Sequence, residues 1–244
     1  MGTTLSKKLA IVTGASSGIG RAITLALAEY EPDLVLLARN IERLEEVASL
    51  ARSRGASSAV TSSTDLQDLA SITYLTEELR KKHKHARLLV HCGGGYARAK
   101  MGDASLDDLD RLYRTNVRGP LALTQAMLPL LIEGAGDIVF INSSLSHRAT
   151  ADTGQYGATQ RALNAIAETL RQEVNPLGVR VMNIYPGRTA TPLQEHIFSH
   201  EGLSYRPERL LQPEDIASIV VHSVLLPRTA EVTDVHVRPR QGDD

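Results

Sequence analysis

Short apolar runs recurring between amphipathic stretches leave this chain few folds to choose from. Leu9–Val12, Leu34–Leu37, Leu88–His91, Ile138–Ile141 and Val179–Ile184 are such runs, and Ser58–Ser63 is a weaker one. Runs this short and this continuously apolar suit strands covered on both faces. Helix-period segments separate them, over residues 21–30, 41–54, 66–82 and 156–175. A further helix opens at Ser105, with Asp107 and Asp108 in its first turn, and an apolar one lies around Leu121–Leu131. Gly55 offers the left-handed conformation that ends the second helix. Pro213-Glu214-Asp215 starts a last helix, and Val232–Val237 supplies a seventh strand. Strands alternating with helices imply an α/β fold, a doubly wound parallel sheet with helices on both faces. No Pro/Ser/Gly-rich linker and no repeat interrupts the series, so residues 1–244 read as a single domain.

Bulk properties remove several function classes. The 244 residues are enough to bury a substantial core, and 42% of them are hydrophobic. A formal net charge of −1 provides no field to attract nucleic acid or an anionic membrane. The one basic cluster, Lys81-Lys82-His83-Lys84-His85, suits the C-terminal end of a helix. No run approaches the roughly 18 apolar residues of a membrane span, and Met1–Lys8 shows no secretory leader pattern. A single cysteine, Cys92, forms no internal disulfide and fits a reducing compartment. The expectation is a cytoplasmic protein acting on a small molecule, with neither nucleic acid nor membrane as partner and no metal: His196 and His200 lie four apart without a third ligand nearby.

The first strand runs into Thr13-Gly14-Ala15-Ser16-Ser17-Gly18-Ile19-Gly20, and a helix follows at once. Glycines allow a tight turn and close backbone approach, and the new helix presents free N–H groups to a pyrophosphate. A strand before and a helix after make this the phosphate turn of a dinucleotide-binding, Rossmann-type sheet. The end of the second strand decides between cofactors: an acid there binds a ribose 2′-hydroxyl, whereas a base accommodates a 2′-phosphate. Ala38-Arg39-Asn40 has no acid and offers Arg39, which selects NADP(H).

From Leu9 to beyond Pro192 the chain resembles the short-chain dehydrogenases/reductases, whose TGxxxGIG pattern is Thr13–Gly20. The resemblance implies hydride transfer between a nicotinamide and a carbonyl or alcohol carbon. It places Asp65, with Leu66, at the adenine ring, and Gly93-Gly94 against the cofactor. Pro186, Gly187, Thr189 and Thr191 would grip the nicotinamide end. It makes Tyr156 the acid/base, Ser143 the hydrogen-bond partner of the substrate oxygen, and Asn116 the support of a water-borne proton path. Ser143 is preferred to Ser144 by strand register and by lying thirteen residues before Tyr156. Residues 191–206 would cover the substrate. Association into a homodimer or homotetramer would use the helix carrying Leu163, Ile166 and Leu170 and the apolar helix before it.

Two positions depart from the family pattern. Its lysine, four residues after the tyrosine, is Gln160, one helical turn from Tyr156 and able to reach the ribose but uncharged. Arg161 points about 100° away and is a poor substitute. The family's NNAG is His91-Cys92-Gly93-Gly94, with His91 expected to be packed rather than a proton carrier and Cys92 a buried thiol. The leading expectation is an NADP(H)-dependent carbonyl–alcohol oxidoreductase. A catalytically silent NADP(H)-binding protein, or a dehydratase or isomerase on the same pocket, are the alternatives that Gln160 leaves open.

Overall fold

The computed structural model describes residues 4–240. The ends of the 1–244 span, with the first residues of Met1–Lys8, lie outside the described residues. In chain order the strands are β1 (Leu9–Thr13), β2 (Asp33–Ala38), β3 (Ser58–Ser63), β4 (Leu88–His91), β5 (Asp137–Ile141), β6 (Arg180–Pro186) and β7 (Asp234–Val237). They form one parallel sheet in the order β3-β2-β1-β4-β5-β6-β7. β1 lies between β2 and β4, with Ile11 opposite both Val35 and Leu89. Strand order reverses there, so the chain leaves the carboxyl ends of β1 and β4 in opposite directions and opens a crevice between them.

Successive strand residues point to opposite faces, and each face buries its own helices. Val12, Leu36, Val90 and Ile184 pack on α1 (Gly18–Ala28), α2 (Ile41–Ser53) and α8 (Pro213–Leu225), meeting Ile23, Leu44 and Val220. Ile11, Leu37, Phe140 and Val181 pack on α3 (Leu69–Lys82), α5 (Gly119–Glu133) and α6 (Gly154–Val174), meeting Ile72, Met127 and Leu163. Leu163 and Leu170 therefore belong to the core rather than to an outward apolar stripe. α4 (Leu106–Tyr113) runs into α5 through a π-helical turn, Arg114–Arg118, and α7 (Pro192–Glu201) follows β6.

Several boundaries differ from the sequence expectation for local reasons. α1 begins inside the glycine turn, at Gly18 rather than Arg21. α3 begins at Leu69 rather than Leu66, because Asp65 and Asp68 build a turn first. The Asp65 carboxylate accepts from Gln67 N at 2.9 Å, and Asp68 caps the helix by accepting from Ala70 N at 2.9 Å. α6 starts at Gly154, β6 extends to Pro186, and β7 begins only at Asp234. Ser105 precedes α4 but makes no side-chain cap; its carbonyl accepts from Gln155 Nε2 at 2.8 Å instead. Gly55 has the positive φ, +116°, that the end of α2 requires.

At the opposite, amino end of the sheet lies a charge cluster the sequence does not announce. The Asp137 carboxylate, 5% exposed, accepts from Arg87 at 2.5 Å, Arg180 at 2.7 Å and Arg228 at 2.7 Å. Other guanidinium N–H groups donate to backbone carbonyls, among them Val224 at 3.2 Å from Arg87, Ala230 at 2.7 Å from Arg180 and Gly178 from Arg228. A buried carboxylate this fully bonded holds β4, β5 and β6 to α8. Removing one member of such a buried set leaves uncompensated charge and costs about 3–5 kcal/mol. Asp137→Asn is therefore expected to lower unfolding free energy in urea by about that amount. A loss below ~1 kcal/mol would show the cluster to be dispensable.

Candidate cofactor and active-site cleft

A cleft of about 860 Å³ opens at the β1–β4 reversal. The glycine turn forms one wall with Gly14, Ser16, Ser17, Gly18, Ile19 and Gly20. Gly14 has φ +66°, and a Cβ on it would lie 2.8 Å from Gly93 Cα, so only glycine fits this contact between the two diverging loops. The Thr13 hydroxyl fixes that contact, accepting from Cys92 N and Gly93 N at 3.0 Å each. Thr13 thus builds the site, a task its place in the motif does not mark. A Cβ on Gly18 would lie 3.0 Å from Thr191 Cγ2, which brings the start of α7 against the turn. Thr191 caps α7, accepting from Gln194 N at 3.2 Å, and lines the cleft with Pro192 and Leu193.

Arg39, Asp65 and Leu66 also line the cleft. Arg43 is there too, one turn into α2 and with its backbone N–H bonded to Asn40 Oδ1 at 2.8 Å. Its spacing of four from Arg39 would have revealed it once Asn40 is recognised as the helix cap. Gly93, Gly94, Asn116, Tyr156 and Gln160 complete the wall. Ser143, Pro186, Gly187 and Thr189 do not line it. Pro186 ends β6, Gly187 N donates to Val237 O at 2.7 Å, and the Thr189 hydroxyl donates to Gly187 O at 3.1 Å. These three shape the approach to α7 rather than the cleft surface.

Ser143 and Tyr156 are brought together from β5 and α6, near enough for the Ser143 hydroxyl to act on the Tyr156 phenol. Asn142 secures the junction, accepting from Ser143 N at 2.8 Å and donating to the Gln160 carbonyl at 3.3 Å. Ser144 is exposed in the turn that follows. Burial pushes the Tyr156 phenol up to about 12; the Ser143 hydroxyl opposes this and Tyr96 adds to it. Gln160 is buried, and its Oε1 has no hydrogen-bond partner in the protein. Arg161 turns away and donates to Ser146 O at 3.1 Å.

Asn116 sits in the π-helical turn with both ends of its amide engaged. Its Oδ1 accepts from Gly95 N at 2.6 Å, and its Nδ2 donates to Gly95 O at 3.0 Å and Thr159 Oγ1 at 3.1 Å. The side chain thus clamps the loop after β4 to α6. His91 is buried, stacked on Phe140 with ring centroids 4.8 Å apart and bonded through Nε2 to Thr124 Oγ1 at 2.8 Å. Burial holds it neutral, down to about 3, and pushes the Cys92 thiol up to about 12, so neither is a ready proton carrier or nucleophile. His196 and His200 face each other on exposed α7, Nε2 to Nε2 at 3.0 Å, and no group of three metal-ligating side chains occurs among the described residues.

A doubly wound sheet whose glycine turn and tyrosine share one cleft defines a dinucleotide-type oxidoreductase fold. The family model described as short chain dehydrogenase matches residues 8–202, and the chain belongs to that family. An uncharacterized oxidoreductase of Staphylococcus epidermidis is 31% identical over 236 residues, covering 96% of this chain and 98% of that one. Sepiapterin reductase of Chlorobaculum tepidum is 30% identical over 245 residues, 97% of this chain and 98% of that one. Among solved structures, an alcohol dehydrogenase from the archaeon Thermococcus sibiricus, complexed with 5-hydroxy-NADP, matches with TM-score 0.86 at 27% identity, covering 98% of this chain and 100% of that one. A metagenomic short-chain oxidoreductase in complex with NADP matches with TM-score 0.83 at 28% identity, covering 97% and 99%.

The neutral His91 links stability to pH. An unfolded histidine titrates near 6.5, so the unfolded chain binds a proton that the folded His91 refuses until about pH 3. Its contribution is complete above about pH 6.5 and is lost as pH falls toward about 3, at ~1.4 kcal/mol per unit. Urea unfolding at pH 5 should therefore show ~2 kcal/mol less stability from this group than at pH 6.5, and His91→Gln should flatten that slope. A titration of the His91 ring near neutrality, read by NMR, would contradict its burial.

Proposed function

We propose that this chain is an NADP(H)-dependent oxidoreductase that interconverts a carbonyl and an alcohol, with Gln160 in the place of the family's lysine. The observation that carries this reading is the Tyr156–Ser143 hydroxyl pair beside the cleft that the glycine turn opens. Residues of the cleft fit the cofactor: the turn offers backbone N–H groups without a Cβ to obstruct them, and the orphaned Gln160 Oε1 awaits a hydroxyl donor such as a ribose. Arg39 and Arg43 supply two guanidiniums for a 2′-phosphate, with Asp65 and Leu66 beside the adenine. Bound there, the nicotinamide would supply or accept the hydride.

The protein's own task is one proton. Ser143 holds the substrate oxygen, and Tyr156 donates to it or accepts from it. No cationic side chain is among the groups acting on Tyr156, so burial prevails and the phenol stays protonated through the neutral range. A protonated tyrosine is ready to donate, which favours carbonyl reduction over alcohol oxidation. Residues 191–206, with Leu193 at the cleft and Phe198 buried against Tyr205, cover the substrate in this reading. Homodimer or homotetramer assembly would use the outer faces of α5 and α6, where Leu121 and Ile166 stay partly exposed.

Calorimetry is expected to show NADPH binding at least several-fold tighter than NADH, with Arg39→Ala or Arg43→Ala removing most of the preference. Equal affinities in the starting protein would reject the NADP(H) assignment.

With a carbonyl found by screening, reduction should be flat from about pH 6 to about pH 9, because Tyr156 loses its proton only near 12. Alcohol oxidation needs tyrosinate and should rise about ten-fold per pH unit over that range. Gln160→Lys should increase oxidation at neutral pH by roughly ten- to a thousand-fold, the effect of lowering a pKa by about 1–3 units. Tyr156→Phe should cost about 10²–10⁴-fold in both directions. Unchanged reduction in Tyr156→Phe would remove Tyr156 from the mechanism. NADPH binding with no turnover, even in the lysine variant, would establish a silent binder instead.

A further inference from the structure

The first turn of α6, which carries Tyr156, is crossed by the loop that follows β4. Ala99 N donates to Asp152 O at 2.9 Å, and Met101 lies so close to Gly154 that a side chain there would run into its sulfur. Asp152 holds a left-handed φ of +64°, a conformation that a non-glycine residue keeps only when its surroundings fix it. Within the crossing loop, Tyr96 sets its ring edge-on to Tyr156, with centroids 5.0 Å apart. Burial raises the Tyr96 phenol, and the Arg98 guanidinium beside it opposes that rise.

Arg98 has two further partners on other elements. It pairs with Asp152 at 3.3 Å and with Glu201 at the end of α7. The Glu201 side chain is only 7% exposed, and it also accepts from Arg188 at 2.8 Å, whose guanidinium stands 4.6 Å over the Phe198 ring. One guanidinium therefore stands beside the ring packed on Tyr156 and pairs with the turn that leads into its helix and with the end of the covering helix. Exposed ion pairs stabilise little, but a carboxylate this buried needs its charged hydrogen bonds.

We propose that Tyr96 and Arg98 are positioning residues which, through Glu201, couple the seating of α7 to the setting of Tyr156. This rests on the assignment of Tyr156 as the proton donor. Arg98 is not among the groups that act on the Tyr156 proton, so its influence is on placement. While the Arg98–Glu201 pair holds, it ties the end of α7 to the wall on which the Tyr156 ring rests, and that pair is the link.

The test is amide hydrogen exchange on the full chain, read at two places: residues 195–201 of α7, and Gly157 to Gln160, the first hydrogen-bonded amides of α6. Glu201→Gln and Arg98→Ala should each speed exchange at both places by roughly ten-fold or more, with the sheet unaffected. Arg188→Gln, which leaves the Arg98–Glu201 pair intact, should loosen α7 alone. A Glu201→Gln variant that loosens α7 and leaves Gly157–Gln160 fully protected overturns the coupling. So does an Arg188→Gln variant that loosens both. Repeating the measurement with NADPH reads protection of Gly14–Gly20 and tests the cofactor assignment separately, so the two ideas fail by different signals.

Discussion

The contact between the two loops that part at the centre of the sheet organises everything above it. Thr13, at the end of β1, accepts two backbone N–H groups from the residues that follow β4. Those donors would otherwise be stranded where the strands diverge, and an unmet buried donor costs about 1–3 kcal/mol. The same contact requires glycine at position 14, because any Cβ would meet the Gly93 backbone. From that fixed point the glycine turn runs into α1, and the loop after β4 runs past Asn116 toward Tyr156. The cleft is the space left between two chains that are joined at their root.

What fills the walls explains the protonation states. His91 and Cys92 stand immediately after the β4 apolar run, and burial there favours the uncharged form of each. They continue the core upward rather than adding chemistry. Tyr156 is subject to the same force from the other wall, opposed by a neutral hydroxyl rather than by a cation. Arg39 and Arg43 line the cleft beside Asn40, and Arg111, paired with Asp108, lines it beside Gly95 and Asn116.

Much of the architecture was legible because periodicity is local. The buried strands and the core-facing stripes of α1, α2 and α6 follow from apolar spacing that tertiary contacts reinforce. Features built by side chains distant in sequence were not legible. Asp137 gathers arginines from positions 87, 180 and 228, and Glu201 gathers them from 98 and 188. Nothing near any of these residues marks it as paired. The Asp65–Asp68 turn lay between: its two aspartates are turn formers, but the apolar Leu66 and Leu69 made the segment read as helix. Leu163 and Leu170 illustrate the reverse, since their spacing is right for a helix face but does not say which neighbour the face meets.

The Asp137 cluster also bears on how the molecule assembles. Its carboxylate leaves water only when arginines from both earlier and later segments have closed on it, and one of them, Arg228, follows α8. The carbonyls of Val224 and Ala230 that saturate Arg87 and Arg180 come from the same late stretch. The half of the sheet from β5 onward therefore depends on the stretch from Val224 to Ala230, whose carbonyls and Arg228 complete the bonding of the Asp137 cluster.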